Sequence, residues 1–134
     1  VDFSLHPQLA ADTFAVKSLT LCDQLLMNDS RFLWCILVPR RDGLRDLHQV
    51  AAADKSQLLD EIDRVSALLE RIGDAYKMNV AALGNMVEQL HIHVIARNRE
   101  DAAWPGPVWG VGSAEPYQQT QAESLIARLR DELS

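Results

Sequence analysis

The sequence predicts an α+β domain: a mainly antiparallel sheet with a long helix and a C-terminal helix packed on one side. Apolar runs at 32–38 and 89–97, bounded by turn residues, have the length of strands. Between them an apolar stripe at three- and four-residue steps marks a long amphipathic helix. The order strand, strand, long helix, strand, strand, helix then fits this class. With 134 residues, 48% of them hydrophobic, one domain spanning 1–134 is expected.

In chain order, His6-Pro7 suggests a turn or helix start, and Leu9, Phe14 and Val16 are expected in a short helix on the domain. Leu19 to Met27 alternates imperfectly, Asn28-Asp29-Ser30 is a turn cluster, and Phe32 to Val38 is apolar throughout. That reads as an antiparallel hairpin whose second strand is buried on both faces, ending where Pro39 cannot donate a ladder hydrogen bond. Asp54-Lys55-Ser56-Gln57 has the form of a capping box. After it Leu58, Leu59, Ile62, Val65, Leu68, Leu69 and Ile72 form the stripe, with Asp60, Glu61, Arg64, Glu70 and Arg71 between them. Met78 to Leu83 predicts a third strand, Gly84-Asn85 a turn, and Gln89 to Arg97 a fourth strand. Ala102 to Pro116, rich in Pro, Gly and Trp, predicts an irregular ordered loop. Pro116 can open a last helix with Tyr117, Ala122, Leu125, Ile126, Leu129 and Leu133 as its apolar stripe. The sheet face away from the helices is expected to be free for a ligand or partner.

The net charge of −6 speaks against a broad grip on a nucleic-acid backbone, which needs clustered Lys and Arg. A small phosphorylated ligand requires only a local donor-rich pocket. Cys22 and Cys35 lie in apolar runs and form no CxxC pair, as expected of reduced, buried thiols. No apolar run approaches the roughly 18 residues of a membrane span, and the N-terminus lacks the pattern of a signal peptide. A cytoplasmic protein with no membrane partner is expected.

The fourth strand carries the chemistry. Side chains two apart share a strand face, so Leu90, Ile92, Val94 and Ala96 can enter a core while Gln89, His91, His93, Ile95 and Arg97 point the other way. A neutral imidazole is a nucleophile and proton acceptor near neutral pH, its unperturbed pKa being about 6.5. Two on one face, about 7 Å apart along the strand, can serve one phosphate. By themselves they equally suit a structural pair or a metal, although zinc wants a third protein ligand and His6 and His48 fall in no ligand spacing.

The segment from Gly84 through Asn85, Gln89, His91 and His93 to Ile95 resembles the signature of the histidine triad (HIT) superfamily of nucleotide hydrolases and transferases. In that family a Gly-Gln/Asn turn leads into a strand of three histidines separated by single apolar residues. Here Gln89 stands at the first position, His91 at the central one and His93 at the last. The likeness covers about residues 18–110, through the apolar strand ending in Pro39-Arg40, the long helix and the Trp104-Pro105-Gly106 loop.

The resemblance implies a HIT-like fold and the roles of residues at matching positions. His91 would attack the α-phosphorus of a nucleotide to form a covalent nucleotidyl intermediate. His93 would hydrogen-bond the reacting phosphate, and Asn85, with backbone N–H groups near Gly84, would donate to its oxygens. No cofactor or metal is implied. The substrate would be a small nucleotide phosphoanhydride or phosphoramidate, as in a diadenosine polyphosphate hydrolase, and the protein would pair as a homodimer through an edge strand and helix.

Three departures bear on rate and substrate. Gln89 can donate and accept but cannot be charged, Met86 stands where relatives often have a hydroxyl, and Trp34 stands where some have a polar residue near the nucleoside. Gln89 and Trp34 are therefore candidate substrate contacts. A nucleotide-binding regulatory module with little activity, or a metal-binding His-X-His protein, are the alternatives. Trp104 and Trp109 are expected only to fasten the loop, and Arg40, Arg41 and Arg97 to be solvated charges outside the catalytic set.

Overall fold

A computed structural model describes residues 3–133. In chain order the elements are α1 (Pro7–Asp12), β1 (Thr13–Ser18), β2 (Cys22–Met27), β3 (Leu33–Pro39), a short 3-10 turn (Leu47–Gln49), α2 (Ala52–Gly73), β4 (Lys77–Ala81), β5 (Ile92–Arg97) and α3 (Gln119–Glu132). The five strands form one sheet in the order β1-β2-β3-β5-β4, and each neighbouring pair is antiparallel. The α+β class is as the sequence predicts.

Side-chain alternation on β5 assigns the two faces of the sheet. Leu90, Ile92, Val94 and Ala96 join Leu26, Cys35 and Leu37 beneath α2 and α3, which contribute Leu58, Val65, Leu68, Leu69 and Leu129. The opposite face is free only in part: a cleft stays open at His91 and His93, and the rest is covered. Ile36, Val38 and Ile95 there are covered by Leu9 of α1 and by Phe32, Trp34 and Val108. The cause is tertiary: the N-terminal segment and the Trp-rich loop fold back over apolar side chains that β3, buried on both faces, presents there.

Several local expectations change, and the last helix opens at Gln119, with Gln118 at its cap, not at Pro116. Phe14 and Val16 lie in β1, not in a helix, although the His6-Pro7 start is correct: His6 Nδ1 accepts from the backbone N–H of Gln8, with Pro7 in the first turn. The period-two pair Phe14/Val16 packs on the helical side of the sheet, which a hydrogen-bonded β2 makes available. Asp54-Gln57 is not a capping box. The helix begins three residues earlier at Ala52, with Ala51 at the cap, and Asp54 instead pairs with Arg41 at 2.9 Å. Leu59 leaves the stripe and is 59% exposed.

Glu61, placed by its spacing on the polar side, is buried. Its carboxylate accepts from the backbone N–H groups of Leu21 and Cys22, both at 2.8 Å, and from Gln57 at 2.6 Å. A buried carboxylate is tolerated when its lone pairs are satisfied in this way. Here it ties α2 to the β1–β2 turn.

The two sheet edges differ. On β1 a register shift falls between Ala15 and Lys17, and Arg130 of α3 donates to the carbonyls of Val16 and Ala15. A bulge and a covering charged side chain blunt a strand edge. At the other edge, β4 carries Val80, 48% exposed.

Candidate active site

His93 sits on β5 opposite Ile36 of β3, and Trp34, two residues before Ile36, shares that face. The indole N–H of Trp34 donates to Nδ1 of His93 at 3.0 Å. An indole nitrogen can only donate, so Nδ1 carries the lone pair and the neutral ring bears its proton on Nε2. Trp109, from the loop, closes edge-on over His93 with ring centroids 5.0 Å apart. Burial, reinforced by the neighbouring His91, lowers the His93 pKa to about 4, so the ring is neutral at physiological pH.

His91 lies just before β5 rather than within it, since the strand starts at Ile92. Its Nδ1 is 2.7 Å from the carbonyl oxygen of Gln89. A carbonyl oxygen only accepts, so Nδ1 is the protonated nitrogen and Nε2 keeps its lone pair. The two rings are 4.8 Å apart, centroid to centroid. One imidazole therefore offers a lone pair at Nε2 and its neighbour an N–H at Nε2.

Both histidines line a cleft of about 400 Å³ together with Gly84, Asn85, Met86 and Val87 on one side and Leu9 and Asp12 of α1 on the other. Gly84 has φ +75°, a left-handed conformation that favours glycine, and this turn carries Asn85 into the cleft wall. Met86 is 95% exposed beside it. A second lobe of about 450 Å³, lined by Arg31, Trp34 and the loop 108–112, shares Asp12, Met27 and Trp109 with the first.

The described residues contain no group of three or more His, Cys, Asp and Glu able to hold a metal ion. None of their helices is long and apolar enough to cross a membrane.

With this geometry, comparison with protein families matches the HIT domain over residues 8–100. The chain belongs to the HIT family. Solved histidine triad proteins match essentially the whole chain. One from Bradyrhizobium japonicum is 40% identical with a TM-score of 0.97, covering 100% of both chains. One from Sinorhizobium meliloti 1021 is 42% identical with a TM-score of 0.95, covering 98% of this chain and 97% of that one. One from Marinobacter aquaeolei VT8 is 44% identical with a TM-score of 0.95, again covering 100% of both. A comparison with curated proteins gives no match.

Of the residues singled out from sequence, the HIT fold brings Gly84, Asn85, His91 and His93 into one cleft. Trp34 and Gln89 do not line that cleft. Trp34 lines the second lobe while its N–H holds His93. The Gln89 amide accepts from the backbone N–H of His6 at 2.8 Å and donates to the carbonyl of Ser4 at 2.9 Å. It thereby clamps the N-terminal segment over the sheet, while its own carbonyl orients His91.

Arg97 is 1% exposed, not solvated. It pairs with Asp101 at 2.8 and 3.0 Å, donates to Asn79 and to the Gly106 carbonyl, and lies 5.7 Å from the ring centres of both Phe32 and Trp104. It anchors the loop that brings Trp109 to His93. Sequence reasoning missed Leu9, Asp12 and Met27 as cleft residues and gave Trp109 only a fastening role. Nothing local distinguishes them, because α1 and the loop meet the cleft only through tertiary packing.

Two outcomes follow from the histidine environments. In Trp34→Phe the ring volume is largely kept but the N–H to His93 is lost, so ¹⁵N spectra should show His93 passing from one tautomer to a mixture. An unchanged Nε2–H tautomer would refute the indole's role. As for acid, the unfolded His93 binds a proton below about 6.5 and the folded one only below about 4. Between these values the unfolded state holds more protons, so stability falls as pH drops through that window. Urea midpoints should show this slope in the wild type and lose part of it in His93→Gln.

Proposed function

We propose that this HIT protein hydrolyses or transfers nucleotidyl groups from nucleotide phosphoanhydrides or phosphoramidates through a covalent His91-nucleotidyl intermediate. The observation that carries the reading is the complementary pair of tautomers, a free lone pair on His91 beside an N–H on His93, facing one cleft. His91 Nε2 forms a bond to the α-phosphorus as the bond to the leaving group breaks. The positive charge then on the imidazole is stabilised by the Gln89 carbonyl that accepts its Nδ1–H. His93 donates from Nε2 to a phosphate oxygen, and Asn85 with the Gly84 turn supplies further donors. Attack of water on the phosphorus releases the nucleoside monophosphate and restores His91; another acceptor would make the step a transfer.

Gln89 and Trp34, first considered as substrate contacts, act in this reading by fixing the two imidazoles. Pre-set tautomers spare the reaction a reorganisation at the moment of bond formation. Two further parts of the reading have their own support. The β4 edge, with Val80 exposed on it and Leu59 exposed on α2, suits a homodimer through that edge and helix, which the mass of the protein in solution decides. Cys22 and Cys35 are free and buried, and burial pushes the Cys35 thiol up to about 12, in keeping with a reducing cytoplasm.

The test is incubation with diadenosine polyphosphates and nucleoside phosphoramidates, acid-free quenching and peptide mass spectrometry. A nucleotidyl mass on the His91 peptide with release of nucleoside monophosphate is expected. Tight binding of nucleotide with neither adduct nor turnover would favour a regulatory binding module, and stoichiometric zinc on the two histidines a metal protein.

A further inference from the structure

The cleft that holds His91 and His93 meets the second lobe at a seam formed by Asp12, Met27 and Trp109. Asp12 is the last residue of α1, and the hydrogen bonds to its carboxylate come from the neutral Gln8 amide, at 2.9 and 3.0 Å. Among the described residues no cation pairs with it. The other charged side chains lining the two lobes are Asp29 and Arg31, and they cancel. Arg31 Nε and Nη2 grip the two oxygens of Asp29 at 3.0 and 2.9 Å, and Nη1 donates to the Val111 carbonyl. On the far side of the Gly84 turn, Arg45 is paired with Glu88 at 3.0 Å. Among the described residues, the two lobes thus carry one net negative charge and offer no unpaired Lys or Arg.

The consequence falls on the leaving group. The reacting phosphate can be met by His93 Nε2–H and Asn85, which suffice for one anionic group. Each further phosphate of a polyphosphate chain adds negative charge, with no cation to receive it and an acidic side chain at the seam. Like charges a few ångströms apart at a partly solvated surface repel enough to slow the reaction severalfold. An ammonium in the same place is attracted to a similar degree.

We infer that Asp12 is a specificity-determining residue that favours nucleotidyl substrates with neutral or positively charged leaving groups over polyphosphates. The inference rests on the catalytic reading of His91 and His93 and adds to it the substrate class.

The experiment compares kcat/KM for a nucleoside phosphoramidate whose amine bears a free ammonium with that for diadenosine tetraphosphate, at low salt with chelator, in wild type, Asp12→Asn and Asp12→Lys. Asp12 is exposed, so both variants should fold, and melting curves check this. The preference for the phosphoramidate should fall about fivefold in D12N and about tenfold or more in D12K, and the differences should shrink in about 0.5 M salt. A ratio unmoved within about twofold, with the His91 adduct still forming, overturns the role of Asp12. So does a selective loss of tetraphosphate turnover in D12N when magnesium is present, which would make the carboxylate a seat for a metal-chelated polyphosphate. Absence of any adduct from either substrate removes the reading of His91, and this inference with it.

Discussion

Replacing His91 by glycine is expected to reduce nucleotidyl turnover by at least about 10³-fold while leaving the fold in place. Removing a nucleophile forfeits the two-step route itself, and losses of this order or larger are usual when such a group is deleted. Stability should change far less. His91 lies outside β5 and removes with it one hydrogen bond, to the Gln89 carbonyl. Such a bond contributes about 1 kcal/mol net. The apolar neighbours Leu90 and Ile92, which point to the opposite core, are untouched. The measurement is turnover of a phosphoanhydride and a phosphoramidate beside a urea melt. A variant that folds and still turns over at the wild-type rate would exclude His91 as the nucleophile.

The largest effect on stability is expected from Arg97→Leu, at about 3–5 kcal/mol, the usual loss when one member of a buried ion pair is removed. Arg97 and Asp101 have side chains 1% and 8% exposed, so the aspartate would be left in the protein with no counter-charge. Burial by itself would raise the Asp101 pKa, but the Arg97 hydrogen bonds and the backbone N–H groups of Asn98 and Ala103 outweigh it and hold the carboxyl at about 2. Its stabilising contribution is therefore present above about 3.8 and is lost as pH falls towards about 2. Urea midpoints give both results. Adding Asp101→Asn to Arg97→Leu should recover part of the loss, because the stranded charge disappears. If the single variant costs less than about 1 kcal/mol, the pair does not hold the loop.

That second expectation could not have been formed from the chain alone. An arginine at a strand end, read locally, is solvated charge. Its burial is created by Asp101 four residues on, Asn79 on β4 and the Gly106 carbonyl, brought together by a loop whose path no periodicity records. Glu61 shows the same limit on α2. Its spacing places it among polar residues, yet the backbone N–H groups of the β1–β2 turn, forty residues away, claim it. The first 17 residues mislead for another reason. Phe14 and Val16 are two apart and fit the end of a short helix or an edge strand, and only pairing with Leu26 and its neighbours on β2 decides for the strand.

What the sequence by itself determined is whatever depends on neighbours along the chain. The two faces of the histidine strand, the stripe of α2, the stop at Pro39 and the glycine turn before Asn85 all follow from backbone geometry repeating over two to four residues, and they sufficed for the fold class and for the likeness to HIT proteins. Tertiary structure alone decided which nitrogen of His93 carries the proton, because the Trp34 indole reaches it from the neighbouring strand. It also decided that the first triad position, Gln89, clamps residues 4 and 6, and that α1 brings Asp12 to the cleft. The proton on His93 and the charge balance of the cleft are set by distances between atoms remote in sequence. Those distances exist only once both faces of the sheet are covered.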